Sequence, residues 1–579
     1  MEPSKEGGYN AAETAPPAHS PPYSTGYGSP SSSSTSNPHA HPSPPPTTVR
    51  GGMDKVEVSV EEMDNMIEPG GLKRDLRLRH MVMIAISGTI GTGLFLTSGK
   101  TIATAGPLGA LFAYMTIGFW LVFVCQAIGE IATLLPLPGA FTSWGARVFD
   151  EAFSFQMTWV YFTNWALTIP AELSASSLVI SFWLPEGSDF PTWIVPLIII
   201  VALVIINMLG VKIYGEAEYW FSILKVVTIL VFIICGILVD AGAVGGTRYG
   251  VDNWHIPGAP FKGGFKAFLS VLVSTGFAYG GTELSGVTAA ESRNPHKHVP
   301  KAVNTVLVRI AFFYILSIFF LASIVPNDDP RLLNSDGTVY NRGADYMNAV
   351  IFTSVISAAN SDFYVATRML LSLSNNGWAP KFVGKTNKRG VPYVAVGITT
   401  LFSCLALVMI YAGASTVFDW LVSIIGSLIF LIWACILFLH FRFRQCWKAQ
   451  GRSPKELPYQ SWGYPYGHYL AMVVAVCCIV ASFYLSIDNK PSISAFSGPD
   501  DPKYIAARNK WAQGLLGAWF PWFQAITLYV GWKFFKKTQI IDPALADLDS
   551  GRWIPTPRDP TLEDEKPKPK WKQILSNFI

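Results

Sequence analysis

Residues 86–95 read ISGTIGTGLF: Ser87, Gly88, Thr89, Ile90, Gly91, Thr92 and Gly93 set three glycines and three hydroxyls into an otherwise apolar run. A second interruption, FAYGGTE at residues 277–283, joins Phe277, Ala278, Tyr279 and Gly280 to the acidic Glu283. Gly-rich segments expose backbone N–H and C=O groups that can hold an ion without any charged side chain. Neither segment has a strand–turn–helix context and no GK[ST] follows, so a nucleotide loop fits poorly. The nine histidines are scattered without zinc spacing, and no carboxylate pair, nucleophile elbow or Cys–His arrangement is present. The pattern therefore predicts no enzyme, no metal and no cofactor. It points to recognition by backbone dipoles.

The surrounding elements decide what such dipoles can do. Half of the 579 residues are hydrophobic and only 14% are charged, with a mean hydropathy of +0.33. Soluble domains carry roughly 25% charged residues. Apolar runs of about 20 residues, enough to cross a ~30 Å hydrocarbon core, recur from Met81 to near Lys533. The seven cysteines fall almost wholly within these runs and behave as small hydrophobes. The fold class is all-α, polytopic and membrane-embedded, with about twelve spans. They are placed near 81–104, 107–134, 153–184, 191–209, 216–239, 265–290, 302–325, 347–374, 393–411, 418–440, 466–487 and 513–535.

Residues 1–71 form a tail that is rich in Pro and Ser up to about residue 50, and it cannot bury enough apolar surface to offset its ordering entropy; it is expected to be disordered. Residues 72–540 form the membrane domain and 541–579 a second tail. Loops on the N-terminal side carry about 14 Lys and Arg against about 9 on the other, so both termini are expected in the cytoplasm. The basic segments RNPHKHVPKA (293–302) and KTNKRG (385–390) read as topology determinants and anionic-lipid contacts, with no nucleic acid as partner.

In hydrocarbon, open backbone is tolerated only where it lines a cavity or lies buried in protein. Glycine breaks in spans one and six, five helices apart, point to a 5+5 inverted repeat with helices 11 and 12 outside it. The half-helix starting near Gly93 would aim its positive end at the cavity. Free N–H groups around Thr92, Gly93 and Leu94 could then take a carboxylate. Carbonyls at Ser87 to Ile90 and at Phe277 to Tyr279 could accept from an ammonium, so the site suits a zwitterion. The alternative is that these glycines only allow close helix packing.

At these residues the chain resembles the fungal amino-acid permeases of the amino acid–polyamine–organocation superfamily. The likeness runs through LKRDLRLRHMVMIAISGTIGTGLF, QAIGEIATLLPLPGAFTSW, GGTELSGVTAAESRNPHKHVPKAV and SAANSDFYVATR. It continues through APKFVGKTNKRGVPYVAV and FRFRQCWKAQGRSPKELPY, covering roughly residues 72–540. The resemblance implies proton-coupled uptake of L-amino acids across the plasma membrane on a leucine-transporter-like fold. It departs from the usual family pattern at Tyr279-Gly280, where relatives carry an aromatic-Gln pair, and at Ile425, where the basic-substrate branch has a hydroxyl.

Intramembrane charges are the remaining candidates. Lys225 lies ~14 Å into span five. By the resemblance its ammonium stands in for a cation beside the first break and exchanges a proton; the alternative is a permanent structural cap. Glu283 is expected to line the path as a gate, proton carrier or helix-stabilising acceptor. Glu130 and Glu172 read as buried struts. Ser357, Asn360 and Ser361 on span eight are cation-site candidates, with helix-to-helix bonding as the other account. Phe277 and Tyr279 are either an aromatic lid or core packing. The expected partners are an L-amino acid, a proton and the bilayer, with ubiquitin machinery acting on tail lysines such as Lys5 and Lys55. The rival function is a non-transporting amino-acid sensor.

Overall fold

A chain surrounded by lipid must satisfy its backbone within each segment, which leaves the helix as the economical solution for long apolar runs. The computed structural model describes residues 91–137, 139–185, 187–287, 294–329, 342–495 and 501–552. Among these, no strand occurs. Eight helices are long and apolar enough to cross a membrane, and two shorter apolar helices, Ile194–Leu209 and Gly264–Tyr279, accompany them. The expected N-terminal tail, most of the expected C-terminal tail, and Ser87, Gly88, Thr89 and Ile90 lie outside the described residues.

The first described helix, α1 (Thr92–Leu134), contains a non-helical residue, Gly106 at φ 77°, followed by Pro107. Were it straight, Gly93 and Gly118 would stand ~37 Å apart at 1.5 Å per residue. Yet a Cβ on Gly93 would lie 2.3 Å from the Ala278 Cα, and one on Gly118 would lie 3.1 Å from the Tyr279 hydroxyl. The two halves of α1 must therefore fold back on each other at Gly106. They supply the end of the first expected span and the whole of the second.

Then come α2 (Phe141–Val148), α3 (Glu151–Ile180), α4 (Ile194–Leu209), α5 (Val211–Asp240), α6 (Gly264–Tyr279) and the single turn α7 (Leu284–Val287). The next span is built from α8 (Pro295–Asn304), α9 (Val306–Arg309), a wide π turn (Ile310–Ile315) and α10 (Leu316–Ile324). It is followed by α11 (Arg342–Asn375), α12 (Tyr393–Ser403), α13 (Met409–Ala412), α14 (Ala414–Ala449), α15 (Tyr466–Asp488) and α16 (Pro502–Lys536). Over its described residues, each span placed from the sequence after the first coincides with one of these helices, with part of one, or with a run of consecutive shorter helices. At the centre, α3 packs on α11 and α14, while α1 packs on α6.

The end of the bundle away from Gly106 is tied by polar contacts. Glu130, fully buried on α1, accepts from Arg444 Nη2 at 2.6 Å and from the Ser461 N–H at 2.8 Å, and lies 3.1 Å from His440 Nε2. It is the strut expected of it. The stretch 541–552 is strapped across the same end. Arg442 Nη2 donates to the Ile541 carbonyl at 2.5 Å, and Gln450 Nε2 to that of Ala546 at 2.7 Å. Arg452 grips Asp549 at 2.7 and 2.5 Å. Arg452 holds the Asp549 carboxyl below its usual range, so this contact contributes above that range and is lost as pH falls through the lowered value.

The hairpin at Gly106 depends on glycine twice over. Its φ is positive, and a Cβ there would meet the Pro260 carbonyl oxygen at 2.7 Å. Gly106→Ala is expected to destabilise the protein by about 1–2 kcal/mol or more. Gly531→Ala, at a helical site with nothing within 4 Å among the described residues, should leave the melting temperature unchanged; thermal unfolding of the purified protein in detergent compares the two.

Candidate functional site

The two glycine interruptions meet. Gly91 is extended (φ −139°, ψ −162°) and α1 begins at Thr92 with no side-chain cap. Helix α6 ends at Tyr279; Gly280 leaves helical geometry, Gly281 takes φ +92°, a region that favours glycine, and α7 starts at Leu284. The Gly93–Ala278 approach leaves no volume for any side chain at Gly93. Around it lies a cavity of about 40 Å³, room for a few water molecules at ~10–15 Å³ each. Gly91, Thr92, Gly93, Phe277, Ala278, Gly280 and Ser361 all line it. The positive end of α1 and the negative end of α6 thus face one space.

The backbone groups are less bare than expected. The Leu94 N–H already bonds the Gly91 carbonyl at 3.2 Å. Among the described residues, no acceptor engages the N–H groups of Thr92 and Gly93. The carbonyls of the second break each hold one donor: Gly280 N–H on Phe277 at 3.1 Å, the Tyr314 hydroxyl on Ala278 at 3.0 Å, and the Thr282 hydroxyl on Tyr279 at 2.9 Å. A carbonyl has two lone pairs, so a second donor can still be accepted.

Several expected roles change. Phe277 lines the cavity, but Tyr279 does not. Its ring stacks on Tyr314 at 4.1 Å and its hydroxyl donates to the Tyr114 carbonyl at 3.1 Å, so it anchors the break instead of covering an occupant. Glu283 is also absent from the lining. It is 1% exposed, and Trp433 Nε1 donates to it at 3.3 Å. Conversely Glu172, read as a strut, lines the cavity and accepts from the Thr92 hydroxyl at the first break. Gly280 opens no void, because a Cβ there would meet Ile429 Cδ1 at 2.9 Å. Ile429 and Ile425 give the cavity an apolar wall from α14.

The charges form a cluster that the sequence had only partly revealed. Lys225 on α5 is 1% exposed and interacts electrostatically with Glu218, Glu172 and Asp362. Glu218, two helical turns before Lys225, is fully buried; Ser357 Oγ donates to it at 2.9 Å and Asn360 Nδ2 at 2.7 Å. Two of the three cation-site candidates therefore hold a carboxylate. Asn207 on α4 donates to Asn360 at 3.1 Å and ties a third helix into the network. Ser361 receives the Tyr214 hydroxyl at 3.4 Å. Asp362, its neighbour, lines the cavity. Neither Glu218 nor Asp362 stood out in the sequence. The i, i+7 spacing of Glu218 and Lys225 on one helical face was the available signal.

A helical membrane bundle in which one helix begins and another is interrupted at a shared cavity fits the architecture of secondary transporters. The model of the family described as "Amino acid permease" matches residues 80–542. The lysine-specific permease LysP of Lactococcus lactis is 41% identical over 512 residues, covering 85% of this chain and 96% of its own. That of Escherichia coli is 40% identical, covering 72% and 88%, and the lysine-specific permease of Saccharomyces cerevisiae is 36% identical, covering 74% of each. Among solved structures, a manganese transporter of Eremococcus coleocola aligns with a TM-score of 0.47 at 11% identity, over 78% of this chain and 94% of that one. The chain belongs to the amino acid permease family. It is a multi-pass membrane protein of the amino-acid transport class, with the all-α, broken-helix fold expected from its sequence.

The geometry at the two first-break glycines differs, and so should their tolerance. Among the described residues, a Cβ on Gly91 would touch only Ala358 Cβ at 3.6 Å, whereas one on Gly93 strikes backbone. Gly91→Ala is expected to keep amino-acid binding within about threefold, and Gly93→Ala to lose it at least tenfold, about 1.4 kcal/mol. Equilibrium binding of a radiolabelled amino acid to the purified variants reads the difference.

Proposed function

We propose that this protein is a secondary active transporter that takes up a cationic L-amino acid together with a proton. It works by alternating access at the plasma membrane, with both termini in the cytoplasm. The observation that carries the reading is the cavity wall itself. Glu172 and Asp362 lie in it, no basic residue is among the described lining, and the two helix breaks frame it. In this reading the substrate carboxylate takes the Thr92 and Gly93 N–H groups, and its α-ammonium faces the C-terminal carbonyls of α6. A positively charged side chain is drawn to Glu172 and Asp362, where water exclusion strengthens the attraction. The lysine-specific names of the relatives support the same substrate class.

The cavity must widen to admit such a molecule, which fits a protein that rocks between states around a fixed site. Lys225 then serves as the built-in cation. Its ammonium balances part of three carboxylates, and losing or gaining its proton changes the charge that a cationic substrate meets. Glu283, behind the second break, is the second group able to carry the coupled proton. Ser357, Asn360 and Ser361 act by positioning Glu218 and the helix that bears Asp362.

Proteoliposomes given an inward proton gradient are expected to accumulate radiolabelled lysine, and binding without flux would instead favour the sensor. Asp362→Asn should raise the KM for lysine at least tenfold while changing that for a neutral competitor much less; equal losses for both would reject the charge argument. An arginine cannot release its proton. Lys225→Arg should therefore leave lysine binding and melting temperature near normal but make uptake insensitive to the gradient. An unchanged gradient response removes Lys225 from coupling.

A further inference from the structure

The central charges are not equivalent. Glu172 and Asp362 line the central cavity, whereas Glu218 and Lys225 are absent from its wall. Glu218 is fully buried on α5, and each of its oxygens has a donor of its own. Ser357 Oγ donates to Oε2 at 2.9 Å and Asn360 Nδ2 to Oε1 at 2.7 Å. Asn360 is held in turn. Its own oxygen accepts from Asn207 Nδ2 at 3.1 Å, and that amide also donates to the Leu203 carbonyl at 3.0 Å. Two helices, α4 and α11, thus fix one carboxylate in a single orientation, in the acceptor-only pattern of an ionised acid.

The charge that this acid faces is Lys225, two turns further along the same face of α5. The acids acting on the Lys225 ammonium come from three helices: Glu218 from α5 itself, Glu172 from α3 and Asp362 from α11. Glu218 acts on it most strongly of the three. Glu283, behind the second break, acts in turn on Asp362. A buried ammonium needs an acid that stays with it, because a buried pair that loses one member leaves an uncompensated charge. Glu172 and Asp362 make poor permanent partners, since a cation entering the cavity meets both. Glu218 is out of an occupant's reach.

We propose that Glu218 is the fixed counter-ion of Lys225, a positioning residue that holds the ammonium in place and sets how firmly it keeps its proton. The inference rests on Lys225 as the built-in cation of the central site and divides the work among the acids. Glu172 and Asp362 meet the substrate; Glu218 serves the lysine. An ammonium deprived of its strongest acid gives up its proton at lower pH. Once neutral, Lys225 no longer offsets the cavity acids, and a cationic guest is drawn to them more strongly.

The test is the pH dependence of radiolabelled lysine binding to the purified full-length protein in detergent, which requires no transport. Glu218→Gln keeps the side-chain shape and can still bond Ser357 and Asn360. Its binding curve should lie at least about one pH unit to the acid side of the native curve, with the melting temperature reporting on the fold. Glu218→Asp retains the charge and should stay within that margin. In a Lys225→Arg background the cation cannot release its proton, so there Glu218→Gln should leave the curve in place. Asp362→Asn should instead weaken lysine binding at every pH. A curve that Glu218→Gln does not move, that it moves equally in the Lys225→Arg background, or that Glu218→Asp moves by the full margin overturns the proposal and leaves Glu218 as a tie between helices. Uptake that ignores the gradient in native protein rejects the coupling role of Lys225 without touching this result.

Discussion

The structure depends on a backbone-to-backbone approach between the first and sixth spans. With Gly93 against Ala278 there is no side chain between the two broken helices. Their ends are consequently close enough for opposite partial charges to face one small cavity. Everything polar in the centre is arranged around that contact. Thr92 reaches Glu172 from one break, and Tyr314 and Thr282 stabilise the carbonyls of the other. The aromatic trio of Tyr114, Tyr279 and Tyr314 then fixes α6 against both the returning half of α1 and the π turn.

Burying charge this deeply carries a desolvation cost of several kcal/mol per ion, which only close pairing and hydrogen bonding offset. The protein meets it with mixed signs and with donors from four helices. Lys225 interacts with three acids, Glu218 is held by Ser357 and Asn360, and Asn207 orients Asn360 in turn. A network of this kind is more than a stabilising device. In the proposed reading, its excess of acidic over basic groups is also what a cationic substrate would meet.

The sequence was most legible where lipid allows few alternatives. A break in a membrane helix has to be encoded by residues that tolerate it, so GTIGTG and YGGTE were legible as interruptions, whereas the hairpin at Gly106-Pro107 was legible only as the gap between the first two spans. Span positions followed from length and apolarity alone. Side-chain partners were harder to read, because one helical turn decides whether a residue faces a cavity or a neighbour. Tyr279 and Phe277 are two residues apart, yet one anchors the break and the other lines the cavity. Glu172 and Glu130 looked alike in their apolar runs. One meets the first break, and the other ties α1 to Arg444 and Ser461. Asp362 was passed over because its neighbours in span eight are themselves polar.

The wide turn at Ile310–Ile315 holds one residue more than a regular turn requires. It is what brings the Tyr314 hydroxyl to the Ala278 carbonyl. A surplus residue in a helix can be absorbed by rewinding, and doing so rotates everything beyond it by about 100°. That rotation would carry Tyr314 off the carbonyl and release α6 from its brace. The seventh span thus holds a screw-type adjustment whose pitch is set by a single residue, geared directly to the broken helix beside it.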